Sequence, residues 1–150
     1  MSALAQAIDL FPDIDNIPDF RQREHFADIQ DDLFWSVFEK FKPFTVVGAA
    51  RFYDVYCHIR RIAYAGIPGD FVECGVNTGW HSLAICEYVN FNSLGKKFYL
   101  FDTFCGLPPE QMSSFEATLP RHPYPECYEL AVKNFASFPN AKLITRLLPS

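Results

Sequence analysis

Two short stretches of this sequence have the residue types and the order that nucleoside binding uses. The first is Glu73-Cys74-Gly75-Val76-Asn77-Thr78-Gly79, and the second is Asp102-Thr103-Phe104. Gly75 closes an apolar run, where a residue without a Cβ lets a ligand come close to the backbone. Gly79 opens the next segment. At a helix start, free N–H groups and the positive end of the dipole favour an anionic group such as a carboxylate. Asp102 stands 27 residues after Gly75, at the end of the next apolar run. A carboxylate in that place can accept both hydroxyls of a ribose. Glycine spacing narrows the ligand. A dinucleotide fingerprint needs G-x-G-x-x-G and a P-loop needs G-x-x-x-x-G-K-[ST], whereas here only Gly75 and Gly79 occur, with three residues between them. An acid two residues before the first glycine suits an amino-acid-bearing nucleoside such as S-adenosylmethionine. A blander account stands beside this one: a strand–turn–helix whose glycines serve packing alone.

Both stretches matter only if the chain brings them to one end of a sheet. The run "FVECGV" (71–76) reads as a buried strand and is followed by a helix over 79–91. The run "KFYLFDTF" (97–104) is nearly continuous in aromatic and aliphatic residues, which suits a parallel strand covered on both faces. Residues 105–125 hold five prolines and are a candidate lid or substrate loop. A helix is predicted over Glu126–Phe138, with Cys127, Leu130, Ala131, Asn134, Phe135 and Phe138 along one side. Residues 141–149 read as a third strand. The order β-α-β-loop-α-β implies a parallel sheet with right-handed crossovers.

Upstream, Asp32 is the expected cap of a helix over Leu33–Phe41. Its Leu33, Phe34, Val37, Phe38 and Phe41 share a face, and Pro43 ends it. A second helix is expected over Ala50–Ala65, with Phe52, Val55, Tyr56, Ile59 and Ala63 as its apolar stripe and Gly66 after its end. Residues 1–32 form an acidic lead-in broken by Pro12 and Pro18.

The 150 residues suit one domain, and 49% hydrophobic with 21% charged residues is a globular balance. A net charge of -5 argues against a nucleic-acid partner. No apolar run approaches the ~18 residues that a membrane span needs. The first basic residue is Arg21, so a signal-peptide start is not expected. Cys57, Cys74, Cys86, Cys105 and Cys127 are odd in number and show no C-x-x-C spacing. They read as reduced thiols of a cytoplasmic protein rather than disulfides or zinc ligands. His25, His58, His81 and His122 share no metal spacing.

The pair "PGDFVECGVNTG" and "KKFYLFDTFCGLP" resembles the macrocin O-methyltransferase family (TylF/MycF-like) of class I S-adenosylmethionine-dependent methyltransferases. The similarity extends through "RFYDVYCHIRRIAYAGI" upstream and "CYELAVKNFASFPNAKLI" downstream, over residues 45–145. It implies an α/β, Rossmann-like methyltransferase fold with a parallel sheet, C-terminally truncated at Ser150 and preceded by N-terminal helices. Residues 1–44 would be lead-in and helix, and residues 45–150 a partial methyltransferase domain.

The resemblance also implies S-adenosylmethionine as cofactor. Glu73, Gly75 and Gly79 would line its site, with Asn77 and Thr78 between them. Ser82 would lie near the methionine carboxylate, Asp102 would hold the ribose, and Thr103 and Phe104 would border the adenosine. Trp80 and His81 stand where many relatives have small residues, and they either crowd the cofactor's carboxyl end or point away. The implied reaction is methylation of a small-molecule or sugar hydroxyl, aided by Mg2+ on aspartates after the fourth and fifth strands. Those metal positions are absent from this chain, so no catalytic residue is assigned and the chain's own turnover is in doubt. With no fourth strand, the ladder of "FVECGV" would be an open edge prone to self-association. Three alternatives remain: a non-catalytic module binding S-adenosylmethionine or a partner; a fragment of an NAD-dependent oxidoreductase, whose ribose Asp102 would equally suit; and a helical interaction protein in which the glycines carry no function.

Overall fold

A computed structural model of the chain describes residues 22–44, 47–106, 112–114 and 126–145. The bulk of the predicted loop over 105–125, and the end of the predicted third strand, lie outside the described residues. Three strands form a parallel sheet in the order β1-β2-β3: β1 (Phe71–Cys74), β2 (Phe98–Asp102) and β3 (Ala141–Thr145). β1 and β2 are each shorter than the apolar run that signals it. In register, Glu73 lies beside Leu100, and Leu100 beside Leu143.

The helices are α1 (Asp32–Phe41), α2 (Ala49–Tyr64), α3 (Trp80–Tyr88) and α4 (Tyr128–Asn134). Single 3-10 turns cover Arg23–His25, Lys42–Phe44 and Phe91–Ser93. Helices α3 and α4 are the two crossovers. Both connect neighbouring strands in the same direction, so right-handed chirality puts both on one face of the sheet. Phe98, Leu100 and Ala141 are buried beneath them. The expectation that "KFYLFDTF" is covered on both faces is met on this face and in part on the other among the described residues. On the opposite face Tyr99 and Phe101 are half-buried, Cys74 is exposed, and Val72 is 62% exposed.

Helices α1 and α2 form a second layer over α3. Phe34, Trp35, Val37, Phe38 and Phe41 of α1 are buried. Leu33 is 56% exposed, contrary to the predicted face, because no described element covers that side. Phe34 meets Tyr53 and Tyr56 of α2 edge-on at 5.0 and 5.4 Å, and Tyr56 stacks on Tyr88 of α3 at 4.6 Å. The cap of α1 is Asp31 rather than Asp32. Asp31 Oδ1 accepts from the Phe34 amide at 2.9 Å, while its Oδ2 accepts from Tyr88 Oη at 2.6 Å and Arg60 at 2.8 Å. One carboxylate thus ties α1, α2 and α3 together. Burial works against its charge, but the hydrogen bonds from Tyr88 and Phe34 and the nearby Arg60 prevail, and its pKa lies below the ordinary aspartate value.

Helix α4 ends at Asn134, short of the predicted Phe138. Cys127, Ala131 and Phe135 are buried along one side, whereas Leu130 is 42% exposed. One contiguous set of buried side chains runs from Ile29 to Ala141, so the helices before the sheet and the sheet itself share a core.

Candidate functional site

The turn after β1 is built from residues in left-handed conformations: Gly75 (φ 86), Asn77 (φ 52) and Gly79 (φ 82). Asn is among the few side chains that tolerate this region. The Gly75 amide still belongs to the sheet, donating to Phe101 O at 2.9 Å. The Gly79 amide closes the turn on Val76 O at 2.9 Å. The first hydrogen bond of α3 runs from the Leu83 amide to Gly79 O at 2.8 Å. The amides of Trp80, His81 and Ser82 therefore precede the helical ladder, at the positive end of the dipole.

Asp102, the last residue of β2, reaches across to this turn. Its Oδ2 accepts from the Asn77 amide at 2.7 Å, and its Oδ1 accepts from the Phe104 amide at 2.8 Å. A carboxylate has about four lone-pair sites, so capacity for further donors remains. Phe104 holds a positive φ of 56, uncommon for an aromatic residue. Its carbonyl accepts from the Cys127 amide at 2.8 Å, and its ring is buried edge-on against Tyr128. Phe104 can thus border a ligand only through its backbone. Thr103 Oγ1 donates to Gly106 O at 2.6 Å.

The two glycines serve different ends. A Cβ on Gly75 would meet nothing within 4 Å, so the space above it is open among the described residues. A Cβ on Gly79 would fall 2.3 Å from Phe135 Cε2. Gly79 is required by packing, whereas Gly75 faces a place that a ligand can enter.

Glu73 and Ser82 lie beneath the turn. Glu73 shares the face of β1 covered by α3, where its Oε2 accepts a short hydrogen bond from Ser82 Oγ and its Oε1 lies 3.4 Å from His81 Nδ1. Ser82 is fully buried. Both side chains are engaged with each other, and the Ser82 backbone is what faces the helix start. Trp80 and His81 turn toward the N-terminal layer. The Trp80 ring stacks on Phe44 at 4.2 Å, and His81 meets Phe52 edge-on at 4.7 Å.

Helix α4 supplies partners that the sequence did not announce. Asn134 Nδ2 donates to Thr78 O at 2.8 Å, and Cys127 Sγ donates to Asn77 Oδ1 at 3.5 Å. Burial, then the Asp102 charge, pushes the Cys127 thiol up to about 11, which keeps it protonated as a donor. The spacing of Cys127, Ala131, Asn134 and Phe135 marks one helical face, but nothing in it says what that face meets.

A shallow hollow lined by Asp28, Asp31, Tyr53 and Arg60 lies at the other end of α3, near Tyr88. Its central groups are already paired. Among the described residues no three His, Cys, Asp or Glu side chains are grouped to hold a metal ion. No helix among them is long and apolar enough to cross a membrane.

A strand-end aspartate hydrogen-bonded to a glycine-flanked turn on the neighbouring parallel strand is the arrangement the resemblance implies. The sequence model of the family described as macrocin-O-methyltransferase (TylF) matches residues 31–136. The chain belongs to this family. The matched span takes in α1, α2, β1, α3, β2 and α4, and so the turn, Asp102 and both α4 contacts. Among solved structures, the chain resembles that of the O-methyltransferase NovP, with a TM-score of 0.53 and 19% identity over 66% of this chain. That likeness supports the α/β fold of the TylF family. The chain spans 46% of the length of the NovP chain. No curated protein matches it.

Proposed function

We propose that this TylF-family chain binds S-adenosylmethionine at the Gly75–Gly79 turn and serves O-methylation of a small-molecule hydroxyl. The observation that carries this reading is the 2.7 Å bond between Asp102 Oδ2 and the Asn77 amide. It fixes a carboxylate beside the open space over Gly75, where its remaining lone pairs meet ribose hydroxyls. The methionine carboxylate then falls to the amides of Trp80, His81 and Ser82, and the adenosine runs along the 102–104 backbone. When bound, S-adenosylmethionine would supply a sulfonium methyl group for transfer to an acceptor oxygen, the C–S bond breaking as the C–O bond forms, with S-adenosylhomocysteine as the leaving group and the acceptor's proton lost to a base. The contribution of these residues is to bind and orient the donor, which is where positioning lowers a bimolecular barrier. The described residues offer no Mg2+ ligand set, so no step is assigned to a metal. All five cysteines are free thiols, which fits the reducing cytoplasm as the working compartment.

Calorimetric titration tests the reading. S-adenosylhomocysteine should bind the 150-residue chain with one site, and NADH should not. Saturable NADH binding without S-adenosylhomocysteine binding overturns it.

The open side of β1 has a consequence for assembly. Its ladder is paired on one side only among the described residues, and Val72 beside that edge carries no charge to discourage pairing. We therefore expect self-association at tens of micromolar, with Val72→Lys shifting the protein toward monomer. Light scattering decides: a concentration-independent mass of 17.2 kDa for the unaltered chain rules the association out.

A further inference from the structure

We infer that Asn134 is a positioning residue for the cofactor turn, acting from α4 across the crossover rather than from either strand end. This rests on the reading above and goes beyond it, because Asn134 lies outside both sequence stretches that define the turn. Several of the turn's backbone groups are held from within the turn or from the neighbouring strand. The Asn77 amide goes to Asp102, the Gly79 amide to Val76 O, and Gly79 O to the Leu83 amide. The carbonyl of Thr78 accepts from Asn134 Nδ2 at 2.8 Å, a backbone bond to the turn that comes from outside both sequence stretches.

That bond holds the carbonyl side of the Thr78–Gly79 peptide while the Gly79 amide is held by Val76 O, so the planar trans unit is fixed from both edges, one of them by α4. The peptide leads directly into the amides of Trp80, His81 and Ser82. Its orientation therefore aims the helix start that would receive an anion. Gly79 has no side chain of its own to hold this plane, and its left-handed φ lies among several that glycine can adopt. Phe135, the next residue, closes on Gly79 from the same helix, and Cys127 holds the Asn77 side chain two turns earlier. The face of α4 formed by Cys127, Ala131, Asn134 and Phe135 is thus a brace along the whole turn. Within it, Asn134 bonds to the turn's backbone.

The test compares Asn134→Ala and Asn134→Gln with the unaltered chain. The alanine variant should bind S-adenosylhomocysteine about tenfold more weakly, with a melting temperature within about 3 °C of the parent, as expected for a partly exposed hydrogen bond. Amide exchange of residues 77–82 in the unliganded protein should quicken at least severalfold, while that of α1 and α2 stays unchanged. The glutamine variant keeps the amide donors and should recover most of both properties. Unchanged exchange over 77–82 in Asn134→Ala overturns the inference whether or not any ligand binds. Equal loss in the glutamine and alanine variants overturns it as well. Failure of the unaltered chain to bind S-adenosylhomocysteine, with exchange still quickened in Asn134→Ala, overturns the cofactor reading and leaves the brace standing.

Discussion

Gly79→Ala is expected to lower the melting temperature by on the order of 10 °C, a larger loss than alanine at Gly66, Gly69, Gly75 or Gly95, where a Cβ meets open space. Two costs combine. A left-handed backbone costs an alanine about 1–2 kcal/mol relative to glycine, and Gly79 has φ 82. The new Cβ would also lie 2.3 Å from Phe135 Cε2. Phe135 is only 4% exposed and has little room to retreat, and forcing an extra carbon into a packed site typically costs about 1–3 kcal/mol.

The two contributions separate in a double-mutant cycle. Phe135→Ala is itself strongly destabilising, but in its background Gly79→Ala should cost only the backbone strain. Gly75→Ala is the matched control. It carries the same kind of strain, with φ 86, but its Cβ meets open space. It should lose about 1 kcal/mol of stability, yet weaken S-adenosylhomocysteine binding more than its stability loss suggests. Equal melting temperatures for the two alanine variants would show that Phe135 does not crowd Gly79.

Asp102→Ala is expected to reduce S-adenosylhomocysteine affinity at least 100-fold, about 2.7 kcal/mol. The carboxylate has two duties in the structure. It accepts from the amides of Asn77 and Phe104, one in the turn and one at a strained positive φ of 56. Hydrogen bonds to a charged acceptor are worth about 1.5–3 kcal/mol each, less where water can substitute. Removing the acceptor therefore loosens the Asn77 turn and frees Phe104 to leave its unfavourable conformation, even before a ligand arrives. Loss of the ribose contact comes on top. Asp102→Asn should be intermediate: its one oxygen satisfies a single amide, and its NH2 then faces the other donor. Calorimetric titration gives the affinities, and thermal unfolding gives the structural share. An alanine variant that binds S-adenosylhomocysteine as well as the parent would remove Asp102 from the site.

The local order of elements was legible from the chain alone, because it depends on short-range pattern. Apolar runs ending at Cys74 and Asp102, a glycine-bounded turn and amphipathic spacing in 33–41 and 50–65 are each read within a few residues. That the sheet is parallel followed from the alternation of strands with connecting helices. Even the approach of Asp102 to the turn was implied, since two adjacent parallel strands end at the same edge. Asp31 and Asp32 are chemically equal as helix caps, so the sequence alone does not choose between them. Tyr88 and Arg60, distant in sequence, choose between them.

What a glycine or an asparagine is for depends on what lies above it. Gly75 and Gly79 look alike in sequence, yet one faces open space and the other the ring of a residue 56 positions later. The contacts of Asn134 and Cys127 with the turn, the burial of the Phe104 ring and the open face at Val72 are likewise decided in three dimensions. Hydrophobic period tells which side of an element seeks cover, because that is a property of the element itself. Which partner provides the cover is set by how the crossovers stack, and only the folded chain brings those surfaces together.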